Sequence, residues 1–129
     1  MSSILGTWQL IKASSSNAKG EPMPAPYGGE HAMALVTFNE QGRMACVLYD
    51  SREEIPAGAK REFNSYCGAY SFDGQRLVTS VDASSNPAWL DSDQTRDASF
   101  EGDVLVLRPP LRAYAAEPEQ RVLYWRKIA

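Results

Sequence analysis

The 129 residues carry a formal net charge of −3, with 43% hydrophobic and 22% charged residues, the profile of one globular domain over 1–129 with a single core. Lys and Arg are interspersed with Asp and Glu and form no basic block, which argues against nucleic acid as a partner. The opening segment lacks a charged leader and no apolar run nears membrane-spanning length, so the expectation is a cytoplasmic protein with no membrane partner and with Cys46 and Cys67 buried and reduced.

Short β-type runs dominate in place of helical periodicity. The first is GTWQLIKA (6–13), the second MALVTFNE (33–40). Gln41-Gly42 turns the chain into RMACVLYD (43–50). YCGAYSFD (66–73) ends at Asp73-Gly74, a hairpin signal that leads into QRLVTSVDA (75–83). QTRDASFE (94–101) turns through Glu101-Gly102-Asp103 into VLVLRP (104–109), and RVLYWRKI (121–128) is last. Eight short strands joined mostly by hairpins imply an antiparallel sheet closed on itself, because closure removes exposed edges. An eight-stranded ring leaves an interior wide enough for one small ligand.

Three segments interrupt the meander. Residues 14–32 are rich in Ser, Pro and Gly, residues 51–65 are expected to hold one short helix around Ala57–Asn64, and residues 110–120 form a third irregular link. Long loops of this kind serve as lids or binding loops in compact domains, or are simply disordered.

Strand alternation assigns faces. In 94–101, Thr95, Asp97, Ser99 and Glu101 make a polar outer row, which turns Gln94, Arg96, Ala98 and Phe100 inward. A guanidinium drawn away from water needs partners, and Asp82 is the nearest acid in sequence. In 66–73 the aromatic row Tyr66, Gly68, Tyr70 and Phe72 is expected to face inward. In 43–50 either row fits: Met44, Cys46 and Leu48, or Arg43, Ala45, Val47 and Tyr49, the latter leaving space for a cavity.

Four stretches together carry a family resemblance. LGTWQLI (5–11) resembles a Gly-x-Trp opening strand and VTFNEQGRMACVL (36–48) a second hairpin. Residues 66–107 hold a Tyr-x-Gly-x-Tyr to Asn-Pro-x-Trp to Gln-x-Arg block, and LYWRK (123–127) an aromatic-Arg ending. This combination resembles the lipocalin-like domain family of calycin-type β-barrels. The resemblance implies an all-β, eight-stranded antiparallel lipocalin-like barrel, with Trp8 at its closed end under the guanidinium of Arg126 or Arg121. Thr79-Ser80-Val81-Asp82 stand where members often carry histidines, so a histidine-based role there does not carry over.

The candidate ligand-binding residues are Tyr49, Tyr66, Tyr70, Phe72, Asp82, Asn86, Trp89, Gln94, Arg96 and Phe100, with Arg96 binding an oxygen, Gln94 orienting it and Trp89 covering it. Asp82, Asn86 and Arg96 also read as a buried network that fixes the Asn86-Pro87 turn. His31, the sole histidine, titrates near neutrality and is a candidate base near Glu30 or Tyr27, or an exposed loop residue. No metal-ligand spacing, phosphate loop or nucleophile elbow is present, so neither metal nor cofactor is expected. The expected partner is a small hydrophobic or aromatic molecule with a polar group, held inside the barrel, and a homodimer is left open. The alternatives are a cofactor-independent lyase, dehydratase, isomerase or cyclase using Arg96, Tyr70 and His31, and a barrel filled by its own side chains.

Overall fold

A computed structural model describes residues 3–114 and 117–129. Its strands are β1 (Gly6–Asn17), β2 (Pro22–Met23), β3 (Ala32–Phe38), β4 (Arg43–Asp50), β5 (Phe63–Phe72), β6 (Arg76–Ser84), β7 (Asp93–Glu101), β8 (Val104–Arg108), β9 (Arg112–Ala113) and β10 (Pro118–Lys127). The eight long strands run antiparallel in the order β1-β3-β4-β5-β6-β7-β8-β10, and β1 pairs with β10 to close the ring. The two-residue strands β2 and β9 extend β1 and β10 at one end. The expected closed barrel is therefore present. Among the described residues no helix is long and apolar enough to cross a membrane.

The short helix expected around Ala57–Asn64 is absent. Among the described residues the helical pieces are single 3-10 turns at Gly29–His31 and Pro87–Trp89. Ala59 N–H donates to the Pro56 carbonyl (3.0 Å) to close a turn, and the chain enters β5 at Phe63. The Arg61 guanidinium donates to the carbonyls of Asp50 and Arg52 (2.6 Å each) and Glu53 (3.3 Å). This loop thus satisfies its backbone acceptors without helical hydrogen bonds.

Two bulges adjust the alternation. Leu10 pairs with Trp125 and Lys12 with Tyr124, so Ile11 is an extra residue and its side chain is exposed. Trp8 and Leu10 face inward before it, Ala13 and Ser15 after it. On the β5–β6 ladder, Cys67 pairs with Ala83 and Gly68 with Val81, which makes Asp82 the extra residue. Gly68 lies so close to β6 that a Cβ there would overlap the Ser80 carbonyl oxygen.

The hydrophobic core runs through the barrel, and a set of aromatic contacts packs one end. Trp8 packs against Phe100 (6.3 Å between centroids), Phe100 against Phe72 (6.3 Å) and Phe38 against Tyr70 (5.1 Å). Phe38 is 2% exposed, and full burial of such a side chain stabilises the fold by about 1.5–3 kcal/mol; Tyr70, Phe72 and Phe100 are partly buried and contribute less. The cation expected over Trp8 is elsewhere: Arg126 is exposed and Arg121 stacks on Tyr114 at the opposite end. Trp8 instead donates its indole N–H to the Ile4 carbonyl (2.9 Å). The row of β4 that sequence left open is settled: Met44, Cys46 and Leu48 are buried, while Arg43, Ala45 and Val47 are exposed. Cys46 and Cys67 are free; Cys46 is buried but Cys67, on the outer face, is only half-buried.

Candidate functional site

The hairpin turns at Asn39–Gly42, Asp73-Gly74 and Glu101–Asp103 gather at the aromatic-packed end. The long connections, 18–31, 51–62, 85–92 and, among the described residues of the last, 109–114, gather at the other. This second end is open. Just inside it lies a narrow cavity, with about 40 Å³ reachable by the centre of a water-sized molecule, lined by residues including Cys46, Tyr66, Arg96 and Trp125. That holds a few waters and is smaller than the one-ligand interior expected from an eight-stranded ring. Outside it lies a basin of about 700 Å³ in the same measure, walled by Met23, Pro26, Asn64, Asn86 and Glu119 among others.

Four side chains, Trp89, Arg112, Tyr114 and Arg121, line both spaces and form the partition between them. They stack alternately. The Arg112 guanidinium lies 4.9 Å from the Trp89 ring centre and 5.1 Å from that of Tyr114. Arg121 lies 3.6 Å from Tyr114 and 5.3 Å from Tyr27. Each such contact is worth about 0.5–2 kcal/mol according to desolvation. Trp89 also meets the Tyr66 ring edge to face at 5.5 Å.

Gln94 is the hub beneath this layer. It is 5% exposed, and its Oε1 accepts from Arg96 Nη2 (3.3 Å) and Arg112 Nη1 (2.9 Å). Its Nε2 donates to Ser92 Oγ (3.3 Å), which donates to the Trp89 carbonyl (2.6 Å). The inward row of β7 thereby ties the Trp89 turn to two arginines. Arg96 is 7% exposed and also donates to the Thr95 carbonyl (2.9 Å). Among the described residues neither Arg96 nor Arg112 has a carboxylate within salt-bridge distance.

Arg121 differs. Its Nη2 contacts Glu62 at 2.6 Å and its Nε contacts Glu119 at 3.2 Å. Glu119 accepts from Ser15 Oγ (2.6 Å) and Glu62 from the Tyr27 backbone N–H (2.9 Å). This network joins β10, β1 and two mouth loops. Burial pushes the Tyr27 phenol up to about 12, against the Asn64 hydrogen bond and the Arg121 charge. Burial likewise pushes the Cys46 thiol up to about 12 against the pull of Arg96, and raises the Tyr66 phenol. All three hold their protons at neutral pH.

The structure brings together Tyr66, Asn86, Trp89, Gln94 and Arg96 from the expected set, with Asn86 capping the turn by accepting from the Ala88 N–H (3.0 Å). It separates the rest. Asp82 faces outward, exposed, and pairs with Arg43 at 2.7 Å, so it is no partner for Arg96. Tyr70, Phe72 and Phe100 pack at the closed end, where the Tyr70 hydroxyl donates to the Asn39 carbonyl (3.0 Å). Tyr49 lies on the outer face beside Phe63. His31 has a side chain 54% exposed, 4.0 Å from Glu30, and lines neither the cavity nor the basin. The trio Arg96, Tyr70 and His31 is therefore not assembled in one site. Sequence reading left Glu62, Arg112, Glu119 and Trp125 out of the site and named Tyr27 only as a neighbour of His31, although the Arg-x-Tyr of residues 112–114 offered the signal of a cation and an aromatic entering one connection.

An antiparallel eight-stranded ring, closed by an aromatic core at one end and open at the other, defines a barrel of the class that encloses small ligands. The family model for the lipocalin-like domain matches residues 5–128, and the chain belongs to that family. No curated protein and no solved structure matches it significantly.

Proposed function

We propose that the protein binds a small hydrophobic or aromatic molecule carrying a polar group, seated in the basin at the open end. The observation that carries this reading is the partition of Trp89, Arg112, Tyr114 and Arg121, which offers ring faces and hydrogen-bond donors on one surface. Apolar surface laid against Trp89 and Tyr114 contributes about 25 cal/mol per Å², and Arg112 and Asn64 orient the polar end. The narrow inner cavity supports binding above the barrel core, with only a small group reaching down toward Arg96 and Tyr66.

Thermal unfolding in the presence of neutral, anionic and cationic aromatic and aliphatic compounds tests the reading. A ligand at about 100 times its Kd stabilises the fold by roughly 3 kcal/mol, a readily measured rise in Tm. The same compound should quench Trp89 fluorescence, and Trp89→Ala should weaken it. A panel without any stabilising compound, or stabilisation unchanged in Trp89→Ala, would refute the placement.

A further inference from the structure

Within that ligand-binding reading, on which this inference rests, we propose that the polar end of the ligand is a carboxylate, received at the partition by the Arg112 fork beside Arg121.

The unpartnered groups point there. Among the described residues three buried side-chain polar atoms lack a hydrogen-bond partner: Arg112 Nε, Arg121 Nη1 and Trp125 Nε1. All three are donors, and all belong to residues that line the inner cavity. Arg121 is 4% exposed and Trp125 2% exposed, so neither is fully paid in water contacts. A buried donor without an acceptor is costly, and the cost is recovered by a ligand that supplies acceptor oxygens. A hydroxyl or amine would bring its own donor hydrogens. A carboxylate brings acceptors alone.

Charge agrees with this. Arg96, Arg112, Arg121, Lys60 and Arg61 face Glu62 and Glu119 across the two spaces, five cations against two carboxylates. Tyr27, Cys46 and Tyr66 add no negative charge, since each holds its proton at neutral pH. The surplus is positive, which favours an anionic ligand. Lys60 and Arg61 are exposed on the basin wall, making the approach cationic on a chain whose formal charge is −3. Such a patch focuses the field and draws in anions. The planar guanidinium fork of Arg112 has only the neutral Gln94 oxygen as a hydrogen-bond partner among the described residues, and it suits a two-oxygen acceptor in its own plane.

The test compares matched probes by titration calorimetry: naphthoate with naphthamide, and decanoate with decanamide. In the wild-type protein each acid should bind about tenfold or more tighter than its amide, the range of a charge-assisted hydrogen bond over a neutral one. In Arg112→Gln that preference should fall to about twofold or less, and Arg112→Lys should restore part of it as a point charge without the fork. Circular dichroism of each variant checks that the barrel is intact. Equal affinity for acid and amide overturns the carboxylate assignment while leaving the ligand-binding reading standing. An acid preference undiminished in Arg112→Gln overturns it as well. Failure of all four probes to bind overturns both.

Discussion

Replacing Cys46 by Val should flatten the alkaline limb of the stability curve. The thiol points into the barrel, 5% exposed, and burial raises it from 9.0 to about 12. Its folded value lies above its unfolded value, so its contribution is intact below about pH 9 and is lost as pH rises toward 12. Over that window the unfolded chain has released a proton that the folded chain keeps, and stability falls. With about 1.4 kcal/mol for each pKa unit, the loss is roughly 1 kcal/mol at about pH 10 and roughly 3 kcal/mol at about pH 11. That is a large part of a typical total of about 5–15 kcal/mol. Tyr27, raised from 10.0 to about 12, adds a smaller loss that begins one unit later. Urea unfolding at intervals from about pH 8 to 11 measures the curve. Val keeps the strand and the apolar contacts and removes the proton, so Cys46→Val should lose distinctly less stability than wild type over the interval. Parallel curves for the two proteins would show that the thiol titrates alike in both states and would refute the burial argument.

Gly68→Ala should cost roughly 3 kcal/mol or more in unfolding free energy, a steric-overlap effect of the large kind, because the new Cβ would overlap the Ser80 carbonyl of β6; a loss below about 1 kcal/mol in urea titration would contradict the close approach. Arg52→Met should move acid unfolding to higher pH. The side-chain hydrogen bonds from Arg52 hold the buried Asp50 carboxyl below its ordinary value, so that stability is present above the unfolded value and lost as pH falls through the folded one. An acid midpoint that does not move in the variant would remove Arg52 from that role.

The strands, their order and the closed ring were legible in the residues because alternation and turn chemistry are local: Asp73-Gly74 makes a hairpin, and a polar row on 94–101 forces Gln94 and Arg96 inward wherever the sheet lies. Local pattern misled at residues 57–64, where a helical reading lost to Pro56, Gly58 and the Arg61 clamp on three carbonyls. It also missed where along the barrel axis an inward residue falls. Tyr66 and Tyr70 share one face of one strand, yet one lies under Trp89 and the other at the closed end. An up-and-down meander does place every second connection at one end, so the meeting of the loops that carry Tyr27, Glu62, Trp89 and Arg112 was implicit in the strand count. Which guanidinium finds a carboxylate was not. Arg121 takes Glu62 and Glu119, Asp82 goes outward to Arg43, and Arg96 and Arg112 are left with Gln94. Those pairings depend on distances between strands far apart in sequence, and only closure of the ring sets them.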